Sequence, residues 1–119
     1  MKRILVIDDD VGILAFLQKK LEIAGYTVST AINAEVGLAK IQVELPDLVI
    51  VDVMLSGMDG LSFLIEVRSN ERSRRIPLII ITARAEFADI FRSQNVAAFY
   101  AKPLNVDQII SKIQSLIGR

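Results

Sequence analysis

The sequence predicts an α/β fold in which a parallel sheet carries helices on both faces. Short apolar runs rich in Ile and Val alternate with longer segments of helical periodicity, and the alternation repeats five times. The runs are continuously apolar, as expected of strands that are covered on both sides. Right-handed crossovers between such strands allow several strand orders, but five βα units point to the doubly wound class.

Five segments have the composition of buried strands. The strongest are Ile4–Ile7, Leu48–Val51 and Leu78–Ile81, where every residue is apolar. Weaker runs at Tyr26–Ala31 and Ala97–Ala101 are predicted as the remaining two strands.

The first helix is predicted over Val11 to Ala24, and the second from Asn33 to about Glu44. Asp10 and Asn33 are placed to cap these helices, whereas Gly25 and Pro46 end them. The apolar positions expected to face the core are Ile13, Leu14, Phe16, Leu17, Leu21 and Ala24 in the first helix, and Val36, Leu38, Ala39, Ile41 and Leu45 in the second.

Three further helices complete the pattern. We expect one from Gly60 to about Asn70, capped by Asp59, a shorter one from Ala85 to Gln94, and a last one capped by Asn105. Their expected core positions are Leu61, Phe63, Leu64 and Val67, then Phe87, Ile90 and Phe91, then Val106, Ile109, Ile110, Ile113, Leu116 and Ile117.

Composition narrows the chemistry. The 119 residues suit one domain, 1–119, and they include neither Cys nor His, which excludes disulfides, thiolate sites and imidazole bases. Fourteen basic residues balance fourteen acidic ones, so direct nucleic-acid binding is not expected. No apolar segment is long enough for a membrane span or a signal peptide, and we expect a soluble cytoplasmic protein.

Polar residues follow four of the predicted strands. Asp8 and Asp9 come after the first, Asp52 ends the third, Thr82 ends the fourth, and Lys102 follows the fifth. Parallel strands place these ends at one edge of the sheet, where open α/β folds bind their ligands. The three carboxylates, the hydroxyl and the amine are therefore expected to converge in one crevice.

Clustered carboxylates favour a cation, and Mg²⁺, with Mn²⁺ as the alternative, prefers such oxygen ligands. A carboxylate can also attack phosphorus to form an acyl phosphate, which the metal and a lysine stabilise. Taken alone, each of these residues also has an ordinary structural explanation. Adjacent aspartates after a strand are often a turn and a helix cap, Asp52 is explained equally well as a structural residue, Thr82 is uninformative, and a Lys-Pro pair is usually a loop. The joint pattern at four strand ends is what favours phosphoryl chemistry.

The whole chain strongly resembles the receiver domain of bacterial two-component response regulators, the CheY-like domains. The resemblance lies in ILVIDDD (4–10), LVIVDVMLSGMDG (48–60), IIITA (79–83) and FYAKPL (99–104), in this order and spacing. It implies a flavodoxin-like (βα)5 fold with strand order 2-1-3-4-5.

The resemblance also implies roles for single residues. Asp52 matches the phosphoacceptor and a ligand of Mg²⁺. Asp9 matches the direct carboxylate ligand, Asp8 acts mainly through metal-bound water, and the backbone carbonyl of Met54 completes the protein ligands.

Further roles concern the phosphoryl group and the switch. Lys102 matches the contact to the phosphoryl group, and Thr82 the hydroxyl that moves to bind it. Phe99 matches the aromatic switch, and the Lys102–Pro103 bond matches a cis peptide.

Function follows from the same resemblance. The chain is expected to be a signalling phosphoacceptor rather than a turnover enzyme, with self-phosphorylation from small donors and autodephosphorylation. The expected partners are a histidine kinase or a histidine phosphotransfer protein, an unidentified output protein or domain, and a second copy in a phosphorylation-dependent homodimer.

Three departures from the family pattern stand out. Ser56 replaces a common Pro, Asn95 replaces a common Gly, and the segment from Thr82 to Lys102 is shorter than usual, which bears on the dimerisation surface.

Two other functions are compatible with parts of this sequence. A receiver-like interaction module that does not switch is the main alternative. A nucleotide-binding or phosphatase domain is disfavoured, because DDDVG after the first strand is not a Gly-rich phosphate loop.

The stretch RSNERSRRIP (68–77) holds four arginines. It allows two interpretations, a docking patch for an acidic partner or a solvated connection between a helix and a strand.

Overall fold

The computed structural model describes residues 1–53, 60–92 and 94–119, without the side chains of Phe87, Ile90 and Arg92. The strands in chain order are β1 (Arg3–Ile7), β2 (Thr27–Ala31), β3 (Leu48–Asp52), β4 (Leu78–Thr82) and β5 (Ala98–Ala101). The helices are α1 (Val11–Ile23), α2 (Ala34–Glu44), α3 (Gly60–Ser69), α4 (Ala88–Arg92) and α5 (Val106–Ile117).

The five strands form one parallel sheet in the order β2-β1-β3-β4-β5, which confirms the doubly wound prediction. Successive side chains of each strand point to opposite faces. Leu5 and Ile7 therefore join the core beneath α2, α3 and α4, whereas Ile4 and Val6 join the core beneath α1 and α5. Two cores sandwich one sheet, which explains why the strands are apolar throughout.

Helix ends follow the predicted caps where the structure describes them. The carboxylate of Asp10 accepts hydrogen bonds from the amides of Gly12 and Ile13, which begins α1. Asn33 and Asn105 cap α2 and α5 in the same way. The predicted cap Asp59 lies outside the described residues.

The buried faces of the helices are narrower than predicted. Phe16 on α1 is 45% exposed, and the predicted core positions Val36, Ala39, Leu45 and Leu116 are also exposed. On α2 the buried residues are Ala34, Gly37 and Ile41, which lie on one face of the helix. Val36 and Ala39 lie on other faces and point away from the sheet. A Cβ on Gly37 would overlap the side chain of Ile7, so the absent side chain lets α2 approach β1 closely.

The segment after β4 departs most from its predicted form. A single helix was expected over Ala85 to Gln94, but the chain forms a 3₁₀ turn, Ala85–Phe87, followed by the five-residue helix α4. The expected core positions Phe87 and Ile90 lie outside the described side chains, whereas Phe91 is buried. Asn95 then takes a left-handed conformation, with φ of 59°.

Tyr26 precedes β2 rather than belonging to it, and it is almost fully buried. Its hydroxyl donates a 2.7 Å hydrogen bond to the carbonyl of Gly118, beyond the end of α5. None of the helices in the described ranges has both the length and the apolar character that a membrane crossing requires.

Candidate functional site

The carboxyl edge of the sheet carries the chemically active side chains. Asp8 follows β1, Asp52 is the last residue of β3, Thr82 is the last residue of β4, and Lys102 follows β5. These four strands are direct neighbours in the sheet, and all run in one direction. The strand order therefore brings residues that are up to 94 positions apart in the sequence into contact.

Lys102 is the electrostatic centre of this edge. Its ammonium donates hydrogen bonds to Asp8 Oδ2 at 2.9 Å and to Asp52 Oδ2 at 2.8 Å. The side chain of Lys102 is 17% exposed, and those of Asp8 and Asp52 are 0% and 6% exposed. Because water is largely excluded, each of these charge-assisted hydrogen bonds is stronger than a surface ion pair.

The pKa of Lys102 reflects these two partners. Burial by itself lowers the pKa of the ammonium, but the hydrogen bonds and charges of Asp52 and Asp8 together outweigh burial. The net effect raises the pKa of Lys102 above its ordinary value. Lys102 therefore stays positively charged at neutral pH and can neutralise an anion at this edge.

Asp8 is held in an unfavourable position for a carboxylate. Burial raises the pKa of its carboxyl group, and the nearby charge of Asp52 raises it further. The amide of Asp10, at 2.9 Å from Asp8 Oδ1, and the Lys102 ammonium offset only part of this rise. A buried carboxylate with a raised pKa is a common mark of functional sites.

The three consecutive aspartates have different surroundings. Asp8 is buried in the cluster and Asp9 is exposed at its rim, whereas the carboxylate of Asp10 caps α1. One carboxylate oxygen each from Asp8, Asp9 and Asp52 lies within 4.8 Å of the others. An all-oxygen donor set of this size fits Mg²⁺, which takes a few carboxylates and fills its other positions with water.

Thr82 is fully buried at the end of β4. Its hydroxyl oxygen accepts a 3.1 Å hydrogen bond from the amide of Arg84, and its carbonyl accepts a 2.7 Å hydrogen bond from the amide of Lys102. Thr82 is thus tied through the backbone to the residue that carries the ammonium. The sequence does not predict the hydrogen bond from the Arg84 amide to the Thr82 hydroxyl, because every residue except proline has a backbone amide and the residue type does not single one out.

Phe99 lies on β5, opposite Ile80 of β4, and its half-buried side chain packs against the core beneath α4. Its ring stacks on that of Phe91, with centroids 6.3 Å apart and an interplanar angle of 30°. Two residues further along β5, Ala101 pairs with Thr82. Phe99 therefore connects α4 to the strand end where Thr82 lies.

The structure shows the expected cis peptide bond but does not describe two expected loop residues. The Lys102–Pro103 peptide bond is cis. The Met54 carbonyl, expected as a metal ligand, and Ser56 both lie outside the described residues.

A doubly wound parallel sheet with an acidic cluster and an ammonium at its carboxyl edge defines a flavodoxin-like α/β domain. The response regulator receiver domain family matches residues 4–114 of this chain. The chain belongs to that family, the CheY-like receiver domains of two-component systems.

Several relatives are transcriptional regulators that are longer than this chain. The chain is 33% identical to the DNA-binding dual master transcriptional regulator RpaA of Synechocystis, over 100% of this chain and 50% of RpaA. It is 32% identical to the alkaline phosphatase synthesis transcriptional regulatory protein PhoP of Bacillus subtilis, over 99% of this chain and 49% of PhoP. The chain thus spans about half the length of these curated relatives.

Solved structures agree with this membership. The response regulator TrrA of Thermotoga maritima, in complex with Mg²⁺ and BeF, superimposes with a TM-score of 0.89 at 32% identity, covering 98% of this chain and 100% of TrrA. The chemotaxis response regulator CheY4 of Vibrio cholerae superimposes with a TM-score of 0.90 at 27% identity, covering 98% and 99% of the two chains.

Proposed function

We propose that Asp52 accepts a phosphoryl group from a phosphohistidine of a histidine kinase or a histidine phosphotransfer protein. The observation that carries the proposal is the Lys102 ammonium, which bonds both Asp52 and Asp8 at the edge where three carboxylates meet. A fixed positive charge beside a carboxylate nucleophile and a group of carboxylates suited to a cation is the arrangement that phosphoryl transfer requires. The proposed receiver domain comprises the whole chain, 1–119.

In the transfer step, a carboxylate oxygen of Asp52 attacks phosphorus as the phosphorus–nitrogen bond of the phosphohistidine breaks. The electron pair of that bond returns to the imidazole, and Asp52 becomes an acyl phosphate. Autodephosphorylation is the attack of water on the same phosphorus, which releases inorganic phosphate and restores the carboxylate. The Lys102 ammonium neutralises negative charge on the phosphoryl oxygens in both steps.

Mg²⁺, or Mn²⁺, is the proposed cofactor. Asp8, Asp9 and Asp52 would hold it together with the carbonyl of Met54, with Asp8 acting mainly through metal-bound water. When bound, the ion supplies positive charge that reduces repulsion between the acidic cluster and an incoming phosphoryl group.

The proposed switch runs from Thr82 to Phe99. The Thr82 hydroxyl donates a hydrogen bond to a phosphoryl oxygen, which draws this strand end inward. Phe99 then turns, and the surface around Phe91 and α4 changes its affinity for an output protein or for a second copy of the chain. Phosphorylation would thereby shift the populations of two conformations.

Uptake of label from a small phosphodonor, such as acetyl phosphate with Mg²⁺, tests the acceptor. We expect the wild-type chain to incorporate label that alkali or hydroxylamine releases, as for an acyl phosphate. Asp52→Ala should incorporate none, whereas Asp107→Asn, an exposed carboxylate on α5, should match the wild type. Full labelling of Asp52→Ala would exclude Asp52 as the acceptor.

Amide spectra with Mg²⁺ and beryllofluoride test the switch separately. We expect shifts at Phe99 and along α4 in the wild type, and their loss in Thr82→Ala while labelling of Asp52 persists. Shifts confined to the residues around Asp52 in the wild type would instead favour the interaction module that does not switch. The short α4 and the 3₁₀ turn before it are the observations in favour of that alternative.

A further inference from the structure

A second polar site lies at the opposite edge of the sheet, near the beginnings of β4 and β5. A cleft of about 350 Å³ is lined by Arg68, Arg74, Arg75, Pro77, Asn95, Val96 and Ala97. Residues 68–77 contain four arginines and one glutamate, a local charge of +3 in a chain whose total charge is zero. A local excess of positive charge therefore lies beside this cleft.

Arg68 organises the floor of this cleft. Its guanidinium donates hydrogen bonds to the carbonyls of Arg74 at 2.9 Å and Ile76 at 2.8 Å, with a longer one to Asn95 at 3.4 Å. The Nε atom is buried without a hydrogen-bond partner in the described part of the chain. Burial lowers the pKa of Arg68, and among the residues that the structure describes no carboxylate charge opposes that effect. An anion in the cleft would supply a negative charge opposite the Arg68 guanidinium.

The connection that carries the other arginines is held in place by its own hydrogen bonds. The buried hydroxyl of Ser73 donates to the carbonyl of Val67 at 2.7 Å and accepts from the Gln42 amide group at 3.1 Å. The amides of Ser73 and Arg74 both donate to the carbonyl of Asn70. The backbone beneath Arg74 and Arg75 is thus fixed before any ligand arrives, which reduces the entropy cost of binding.

Arg74 and Arg75 have exposed side chains at the cleft, and neither forms an ion pair within the described residues. Guanidinium groups present donors in a planar fork that matches two oxygens of a phosphate. The lining of the cleft also includes Pro77, Val96 and Ala97, whose apolar atoms suit the body of a small molecule. The volume is within the usual range for small-molecule sites.

We propose that this cleft binds a phosphorylated small molecule, with its phosphate between Arg74 and Arg75 and its carbon skeleton against Pro77 and Val96. The site is separate from the acidic cluster, and it does not depend on the proposed phosphotransfer. An acidic peptide is the other class of ligand that arginines attract. A concave site with an apolar wall and a fixed floor favours the small molecule.

Titration with ribose 5-phosphate, followed by amide spectra in a metal-free buffer, tests the proposal. We expect saturable shifts at Asn95, Val96 and Ala97, and no such shifts with ribose, which lacks the phosphate. Arg74→Ala combined with Arg75→Ala should weaken binding at least tenfold. Both side chains are exposed, so the variant should retain the thermal midpoint of the wild type.

Arg72→Ala is the matched control, because Arg72 is an exposed arginine of the same connection that does not line the cleft. It should change the affinity for ribose 5-phosphate by less than twofold. An equal loss of affinity in Arg72→Ala would show diffuse charge attraction and overturn the proposal. Absence of saturable shifts, or binding of a glutamate-rich peptide where ribose 5-phosphate does not bind, would overturn it as well.

Discussion

Mg²⁺ should stabilise this protein measurably, and the geometry of the acidic cluster sets the scale of the effect. Carboxylate oxygens of Asp8, Asp9 and Asp52 lie within 4.8 Å of one another. At that separation two unit charges repel by roughly 3.5 kcal/mol if the effective dielectric constant is about 20. A divalent cation that contacts all three carboxylates would reduce this repulsion, and the unfolded chain does not bring them together, so the cation is expected to bind the folded state only.

Binding to the folded state alone adds about 2.7 kcal/mol of stability when the cation is present at one hundred times its dissociation constant. A domain of this size gains roughly 4 °C in thermal midpoint for each kcal/mol. We therefore expect a rise of about 10 °C at that Mg²⁺ concentration. Thermal unfolding followed by circular dichroism measures it, with NaCl at matched ionic strength as the reference.

Asp9→Asn removes one ligand from the exposed rim of the cluster and leaves the buried pair with Lys102 intact. If the affinity for Mg²⁺ falls tenfold, the stabilisation at the same Mg²⁺ concentration falls to about 1.4 kcal/mol, and the midpoint shift falls to roughly 5 °C. Asp107→Asn, the same change on the exposed surface of α5, should keep the full shift. A shift that is equal in wild type and Asp9→Asn, or absent from the wild type, would refute this account of the cluster.

Three further predictions follow from single contacts. Lys102→Met leaves two buried carboxylates without their counter-charge, so the free energy of unfolding in metal-free urea at neutral pH should fall by about 3 kcal/mol. The loss should be smaller at acidic pH, where the carboxylates are protonated. An unchanged urea midpoint would contradict this prediction. The pKa of Asp8 is higher in the folded state than in the unfolded state, so the folded state binds the proton more tightly. The contribution of Asp8 to stability therefore falls as pH rises from about 3.9 through the raised pKa. Asp8→Asn should remove that decline, so its metal-free stability relative to wild type should increase with pH in this window, and a flat difference would show that the carboxylate is not strained. Tyr26→Phe should cost about 1 kcal/mol through the lost hydrogen bond to the carbonyl after α5, whereas Tyr100→Phe, with no such bond in the described residues, should leave the urea midpoint unchanged.

The elements of the fold follow closely from the sequence because most of the signals involved are local. The caps Asp10, Asn33 and Asn105 act on amides two or three residues away, so a short stretch of sequence contains both partners. Apolar runs likewise mark the strands to within a residue or so. The segment after β4 is predicted less well, because helix propensity is a weak preference. Its sequence allows one helix over Ala85 to Gln94, whereas the chain forms a 3₁₀ turn and a short α4.

Which side of a helix is buried depends on more than its periodicity. The exposed position of Phe16 was not expected, because a large aromatic residue beside Leu17 is usually buried. In the fold the buried stripe of α1 runs through Leu14, Leu17 and Leu21, and Phe16 faces outward near the Lys20 ammonium, which is 5.9 Å from its ring centroid. The arginine-rich connection is a similar case, since only the folded chain turns Arg68 inward and leaves Arg74 and Arg75 at the cleft.

Sequence alone determined the kinds of residue available to this protein and the strand ends where they occur. It offers carboxylates, a threonine and a lysine, and neither imidazole nor thiol. Only the tertiary structure decided the 2.8 Å and 2.9 Å contacts of Lys102 with Asp52 and Asp8, and the depth at which these charges are buried. The reason is physical: composition and caps act over a few residues, whereas the strength of an ion pair depends on separation and on the exclusion of water, which neighbouring strands establish together.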